Sequence, residues 1–187
     1  FIPSLIKMAT PRPSETGFYC PMVQSNSYMA RMAFDLERAS ILNPVIHLKH
    51  DPDTLAVEIY RQMGTRLGLS KKRVKKSLTH AIEKQRQFAA DMHQQRDKIL
   101  RKLDPAEPIM VVTGRPYNLY DDRLNLRLGQ NLARLGIAAL PMDFIDSGAV
   151  DLTEFPSMFW GLGAQILKTA KIVSENSNYF GLHLTNL

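Results

Sequence analysis

The run Ile109-Met110-Val111-Val112 leads straight into Thr113-Gly114. Four consecutive apolar residues leave no face for water, so the segment reads as a strand buried on both sides. Strands of that kind belong to parallel sheets covered by helices. Shorter apolar runs at Phe1–Ile6, Pro44–Leu48, Ile137–Leu140 and Phe180–Leu184 read as further strands, and Pro3 argues against a central place for the first.

Amphipathic stretches separate these runs. Over Asn26–Ala39, Met29, Met32, Ala33 and Leu36 share one helical face. Asp51-Pro52-Asp53 supplies an N-cap, a first-turn proline and a first-turn acid. The helix it opens carries Leu55, Ile59, Met63 and Leu67, and Gly68 ends it. Ser70 caps a helix to about Leu103, roughly 50 Å long. Its apolar residues Val74, Leu78, Ala81 or Ile82, Phe88, Met92, Ile99 and Leu103 form a narrow seam broken by Gln85 and Gln95. Later helices are predicted over Leu124, Leu128, Leu132 and Leu135, closed by Gly136, and from Pro156 through Val173.

The order β-α-β-α-α-β-α-β-α-β implies an α/β fold with a layered, mostly parallel sheet, built of flavodoxin- or Rossmann-like units, plus one long basic helix. Residues 1–104 form an N-terminal α/β portion ending in the long helix. Residues 105–187 form a βαβαβ unit. One continuous domain is the other division compatible with the pattern.

With 187 residues, 44% hydrophobic and 22% charged, the chain can bury a core and is neither a disordered tail nor a disulfide-stapled miniprotein. No apolar stretch is long enough for a spanning helix, which needs about 20 residues. Phe1–Lys7 lacks the layout of a signal peptide. The absent initiator Met suggests a piece of a longer protein. The single cysteine excludes an internal disulfide and points to a reducing, cytoplasmic setting.

The net charge of +6 is concentrated: from Arg66 to Lys102 there are 12 Lys and Arg against 3 acids. Lys71-Lys72-Arg73-Val74-Lys75-Lys76 has no interleaved aromatics. It therefore reads as a solvated face or a surface for an acidic partner rather than a nucleic-acid site.

Two places could carry chemistry. Gly114-Arg115-Pro116-Tyr117-Asn118-Leu119-Tyr120-Asp121 follows the carboxyl end of the buried strand, where open α/β sheets place ligands. Gly114 permits close backbone approach and Arg115 can fork to a carboxylate or phosphate. The segment is neither a P-loop nor a dinucleotide fingerprint. A rigid turn with Arg115 paired to an acid is the competing reading. Cys20, in Phe18-Tyr19-Cys20-Pro21, precedes a helix and could be a metal ligand or nucleophile, or simply a small buried apolar residue. The histidines His47, His50, His80, His93 and His183 show no metal-ligand spacing. Asp143, Asp146, Asp151 and Glu154 could hold a cation, or cap turns in a solvated loop.

Tyr19-Cys20-Pro21, Val112–Asp121 and Asn125-Leu126, with Pro156–Trp160, Ala164–Leu167 and Leu184-Thr185-Asn186, resemble the uncharacterised region of the large CoA-substrate-specific enzyme activases. Those proteins are related to 2-hydroxyglutaryl-CoA dehydratase and its activator, component A. The resemblance implies a modular parent in which ATP hydrolysis drives low-potential electron transfer between [4Fe–4S] clusters. ATP would bind only in a separate domain absent from this chain, and a second cysteine pattern, Cys-Gly-Pro-Asp, would lie just past Leu187. Cys20 then becomes a candidate cluster ligand, and Gly114, Arg115, Tyr117 and Asn118 would line the cluster or an acyl-CoA-related cleft. The fragment would be inactive alone. Its partners would be other domains of the same polypeptide or a dehydratase-type subunit, not a membrane. The alternative is a non-catalytic interaction domain that uses the long basic helix to dock an acidic partner or another copy of itself.

Overall fold

The computed structural model describes residues 1–37 and 40–185. It is a mixed α/β structure with two small parallel sheets. Contacts divide the chain into two compact units, Phe1–Arg86 with Phe159–Gly161, and Gln87–Met158 with Leu162–Leu187.

In the first unit, β1 (Ser4–Lys7) pairs in parallel with β2 (Val45–His47), with Ser4 opposite Val45 and Leu5 opposite Ile46. The chain between them forms α1 (Pro21–Gln24) and α2 (Asn26–Ala33). Ile41, Ile46, Leu55, Ala56 and Val74 are buried here, Leu55 to 1% exposure. The outer edge of β2 is closed by a side chain. Gln62 Oε1 accepts the Val45 N–H at 2.7 Å, and Gln62 Nε2 donates to the Val45 carbonyl at 2.8 Å. The amide thus occupies the backbone groups that an exposed strand edge would offer to another chain.

The helix α3 (Pro52–Ile59) begins as the sequence predicts. The Asp51 carboxylate accepts from the N–H groups of Asp53 and Thr54, both at 3.0 Å, and from the Thr54 hydroxyl. These bonds hold the Asp51 carboxyl below its usual range, the Thr54 hydroxyl contributing most. A π-helical turn, Tyr60–Gly64, continues it. Gly64 is required there, because a Cβ would lie 2.4 Å from the Tyr60 ring. Gly68, at φ +62°, ends the run.

Helix α2 departs from expectation. It spans Asn26–Ala33, not Asn26–Ala39, and Asp35 at φ 48° breaks the continuation. Arg38 and Ala39 lie outside the described residues. The predicted apolar stripe faces outward, with Met32 75% and Leu36 38% exposed. The helix turns Ser27 inward instead, where its hydroxyl meets that of Ser4 at 3.2 Å. A buried hydroxyl without a partner would cost about 1–3 kcal/mol, so the Ser4–Ser27 pair fixes which side faces the sheet.

The division between the units falls within α4 (Lys71–Leu100), a 30-residue helix ending slightly before the expected Leu103. Among the described residues no helix is long and apolar enough to cross a membrane.

In the second unit, β3 (Ile109–Gly114) is the central strand. It pairs in parallel with β4 (Ala138–Pro141) on one side and β5 (Tyr179–Leu184) on the other. Five of its six residues are buried, as a strand without alternation must be. Ile109, Val111, Leu140 and Ile145 form the core, with Ile172, Val173 and Tyr179 packed against it. The first two of these packing residues come from α7 (Gly161–Ser174), which starts at Gly161 and not at Pro156. The residues before it form turns, tied down where Lys171 Nζ reaches Glu154 Oε1 at 2.7 Å and the Asp151 carbonyl at 3.1 Å.

The connection from β3 to β4 also differs from the prediction. The segment Gly114–Tyr120, which reads from the sequence as a loop, contains a short helix, α5 (Pro116–Tyr120), and the helix predicted over Leu124–Leu135 is reduced to α6 (Leu128–Arg134). Leu126 and Arg127 take left-handed φ values of 54° and 55°, which no helix can propagate through. Leu132 alone of the four predicted leucines is buried, and Leu124 and Leu135 stand 62% and 73% exposed.

Leu140, 1% exposed, sits opposite Val111 in the ladder. Replacing Leu140 with Ala should therefore destabilise the chain by about 2–5 kcal/mol. Urea denaturation will register this as a lower midpoint with an unchanged slope.

His47 gives a pH signature. Its ring stacks on His50 at 5.0 Å between centroids, and burial, His50 and Lys7 lower its pKa against a smaller opposing effect of Glu58. The unfolded chain therefore binds this proton more readily than the folded one. The contribution is full above about pH 6.5 and is lost as pH falls toward the depressed folded value. Melting curves between pH 8 and 5 should show His47→Gln with a shallower acid-side loss than the parent sequence.

Candidate functional site

The second unit brings the residues after β3 to one edge. The link from β3 to β4 runs along one flank, and the link through α7 crosses to place β5 on the other. Ligands of open α/β sheets bind at the carboxyl ends of strands where the order reverses in this way.

Gly114 is the last residue of β3 and lies opposite Leu184. A Cβ on Gly114 would stand 2.8 Å from the Leu184 carbonyl oxygen, a backbone atom that cannot swing aside. The close fit of these strands thus demands glycine. One step earlier Thr113, 6% exposed, faces its register partner His183, with Thr113 Oγ1 and His183 Nδ1 3.0 Å apart.

Arg115 follows in an extended conformation, and Pro116 starts α5 at the position where proline is favoured. An Arg115 guanidinium nitrogen donates to the Tyr117 hydroxyl at 2.8 Å. Both side chains are exposed, whereas Asn118, one turn along, is buried to 8% exposure. At the end of α5 the Tyr120 hydroxyl donates to Asp143 Oδ2 at 2.6 Å. Asp143 belongs to the 3-10 turn Met142–Phe144 that follows β4. Burial, then this bond and the carboxylate charge, raise the Tyr120 pKa, so the phenol keeps its proton and acts as a donor.

The next turn is held by amides. Asp121 Oδ1 accepts the N–H groups of Arg123 and Leu124, Asn125 Nδ2 donates to the Leu119 carbonyl, and Asn131 Nδ2 donates to the Leu126 carbonyl. These bonds anchor the two left-handed residues and set the exit of the loop.

Gly114, Arg115, Tyr117 and Asn118 are therefore neighbours on one strand end and one short helix. Cys20 belongs to the first unit. Phe18 there bridges both Lys7 and Trp160, and the Tyr19 N–H donates to the Ile6 carbonyl at 2.9 Å. The chain thus turns back along β1 before it reaches Cys20. The residue is half-buried, precedes the four-residue α1, and accepts the N–H groups of Val23 and Gln24 on its carbonyl. Among the described residues no three His, Cys, Asp or Glu side chains are grouped to hold a metal ion. The acids singled out in the sequence have other engagements. Asp146 caps the Gly148 N–H, Asp151 accepts from Thr153, and Glu154 pairs with Lys171.

Two residues of the edge escape sequence reasoning. His183 carries no metal spacing, and only the β3–β5 register sets it beside Thr113. Asp143 falls in an acidic group by sequence, yet its partner is Tyr120, 23 positions earlier. No local signal reveals either pairing.

Gly114→Ala should cost about 1–3 kcal/mol through displacement of the β5 backbone. Thermal unfolding should show a lower melting temperature, while Tyr117→Phe, which loses only an exposed hydroxyl contact, should melt within about a degree of the parent sequence.

No curated protein and no solved structure matches the chain. Residues 1–145 match the family described as the CoA enzyme activase uncharacterised domain (DUF2229). That match covers all of the first unit up to Arg86 and continues through β3, the Gly114–Asp121 segment and β4. The chain therefore belongs to the family of the CoA enzyme activase uncharacterised domain.

Proposed function

We propose that the chain is a ligand-presenting domain of a CoA enzyme activase, and that the carboxyl edge of its three-stranded sheet receives the anionic or carbonyl end of an acyl-CoA-type ligand. The observation that carries this is the convergence at the end of β3. Gly114 ends β3 in close contact with the β5 backbone, and Arg115, the next residue, offers a permanent positive charge at the surface. Tyr117, Asn118 and the Thr113–His183 pair add polar groups on the same edge. Arginine suits phosphate and carboxylate groups because its planar fork matches two oxygens at once.

Cys20 has a different role in this reading. A [4Fe–4S] cluster is held by four thiolates, and one cysteine does not fit that requirement alone. The residues of this chain hold no cluster by themselves. Cys20 would be a single donor in a set completed by other domains of the same polypeptide or by a dehydratase-type subunit, in the service of low-potential electron transfer. Family membership and the half-buried setting of the thiol support this role.

Isothermal titration with coenzyme A tests the edge. Arg115→Gln should weaken binding roughly 10- to 100-fold, as loss of a charge-assisted pair does. Absence of binding, or equal affinity in the variant, would refute the assignment. Anaerobic iron–sulfide reconstitution of the parent protein tests the thiol. Cys20→Ser should reduce the cluster absorbance near 400 nm in about the proportion expected for a lost ligand, and an unchanged spectrum would remove Cys20 from the ligand set.

A further inference from the structure

The first half of α4 carries an arrangement of charge that neither the fold nor the β3 edge uses. Between Lys71 and Arg86 there are seven Lys and Arg and one acid, Glu83, while Gln87–Leu100 is balanced with two of each. The whole positive surplus of the helix therefore lies in its first sixteen residues.

At 100° per residue these charges sort into two sets. The inward line runs through Val74, which is buried, and the half-buried Leu78 and Ile82. Lys71 and Lys75 lie beside it and are engaged within the unit. Lys71 Nζ sits 5.5 Å from the centre of the Tyr60 ring, and Lys75 Nζ pairs with Asp53 Oδ1 at 2.7 Å. Arg73, Lys76, His80 and Lys84 form a stripe on the opposite face, at steps of three, four and four residues, and all four are exposed. Among the described residues Arg73, Lys76 and Lys84 make no ion pair.

The arrangement works against the helix that carries it. Cations in the first turn oppose the positive end of the helix dipole, and like charges four residues apart repel each other. No acid stands in the first turn to offset them. An anionic surface laid along the stripe would relieve both effects.

We infer that the stripe Arg73–Lys76–His80–Lys84 docks an acidic helix of a partner protein. The stripe is about 16 Å long, the rise of eleven residues, so carboxylates spaced three and four apart on a facing helix meet it in register. A second copy of this chain is a poorer occupant, since its α4 offers either the same cations or a balanced segment. A lipid surface would need a broad free apolar face beside the cations; here Val74 is buried, Leu78 and Ile82 are half-buried, and the exposed Phe88, one turn past Lys84, is a single apolar side chain. A single-stranded nucleic acid would need a row of stacking aromatics, and the stripe is followed by one, Phe88, with no Phe, Tyr or Trp between residues 71 and 87.

The test is fluorescence anisotropy at low salt with the full chain and a labelled helical peptide bearing glutamates at i, i+3, i+7 and i+11 on one face. A second peptide carries glutamine at those four positions. The glutamate peptide should bind at least about tenfold more tightly, and the advantage should shrink as salt rises. The charge-reversed variant Arg73→Glu/Lys76→Glu/Lys84→Glu should lose that advantage with its far-ultraviolet circular dichroism unchanged. The swap Arg73→Lys/Lys76→Arg/Lys84→Arg should keep it. Equal binding of the two peptides, or full binding by the charge-reversed variant, would overturn the proposal. So would tighter binding of a short DNA duplex or of phosphatidylserine vesicles than of the glutamate peptide.

Discussion

Burial of β3 on both sides organises the second unit. Val111 is completely enclosed, and its strand gives one ladder to β4 and another to β5. A strand with no solvent face must place every backbone group in a ladder and every side chain in a packed layer. Its neighbours are thereby fixed in register. Because both ladders are parallel, the carboxyl ends of all three strands emerge on one edge, and the groups that follow them are gathered there.

The first unit solves a smaller problem by different means. Its sheet has two short strands, and a sheet of that size exposes edges. Gln62 closes one of them with a pair of hydrogen bonds to Val45, and the Ser4–Ser27 pair satisfies buried hydroxyls while orienting α2. The apolar stripe of α2 is left outside as a consequence. Local polar demands have overridden the hydrophobic pattern there, because leaving a buried donor unpaired costs as much as burying one more aliphatic side chain gains.

Much of the architecture was legible from residue order. The unbroken apolar run at Ile109–Val112 announced a buried parallel strand, Asp51-Pro52-Asp53 announced α3, and Gly68 announced its end. These signals act within a few residues and depend on backbone chemistry that neighbours scarcely alter. Legibility failed where distant groups decide conformation. The leucines from Leu124 to Leu135 have helical spacing, yet amides of Asn125 and Asn131 stabilise a left-handed pair between them. Pro156 is a good helix opener, yet the helix waits for Gly161.

The same division applies to function. The sequence by itself determined the nature of the Gly114–Asn118 segment, the solitary thiol of Cys20 and the cationic run at the start of α4, because each is a contiguous choice of side chains. Tertiary structure decided that Thr113 meets His183, that Tyr120 meets Asp143, and that Arg73, Lys76, His80 and Lys84 face outward while Lys71 and Lys75 are occupied. Those outcomes depend on strand order, register and helix rotation. Such quantities are set by the packing of residues far apart in the chain, and no short stretch of sequence encodes them.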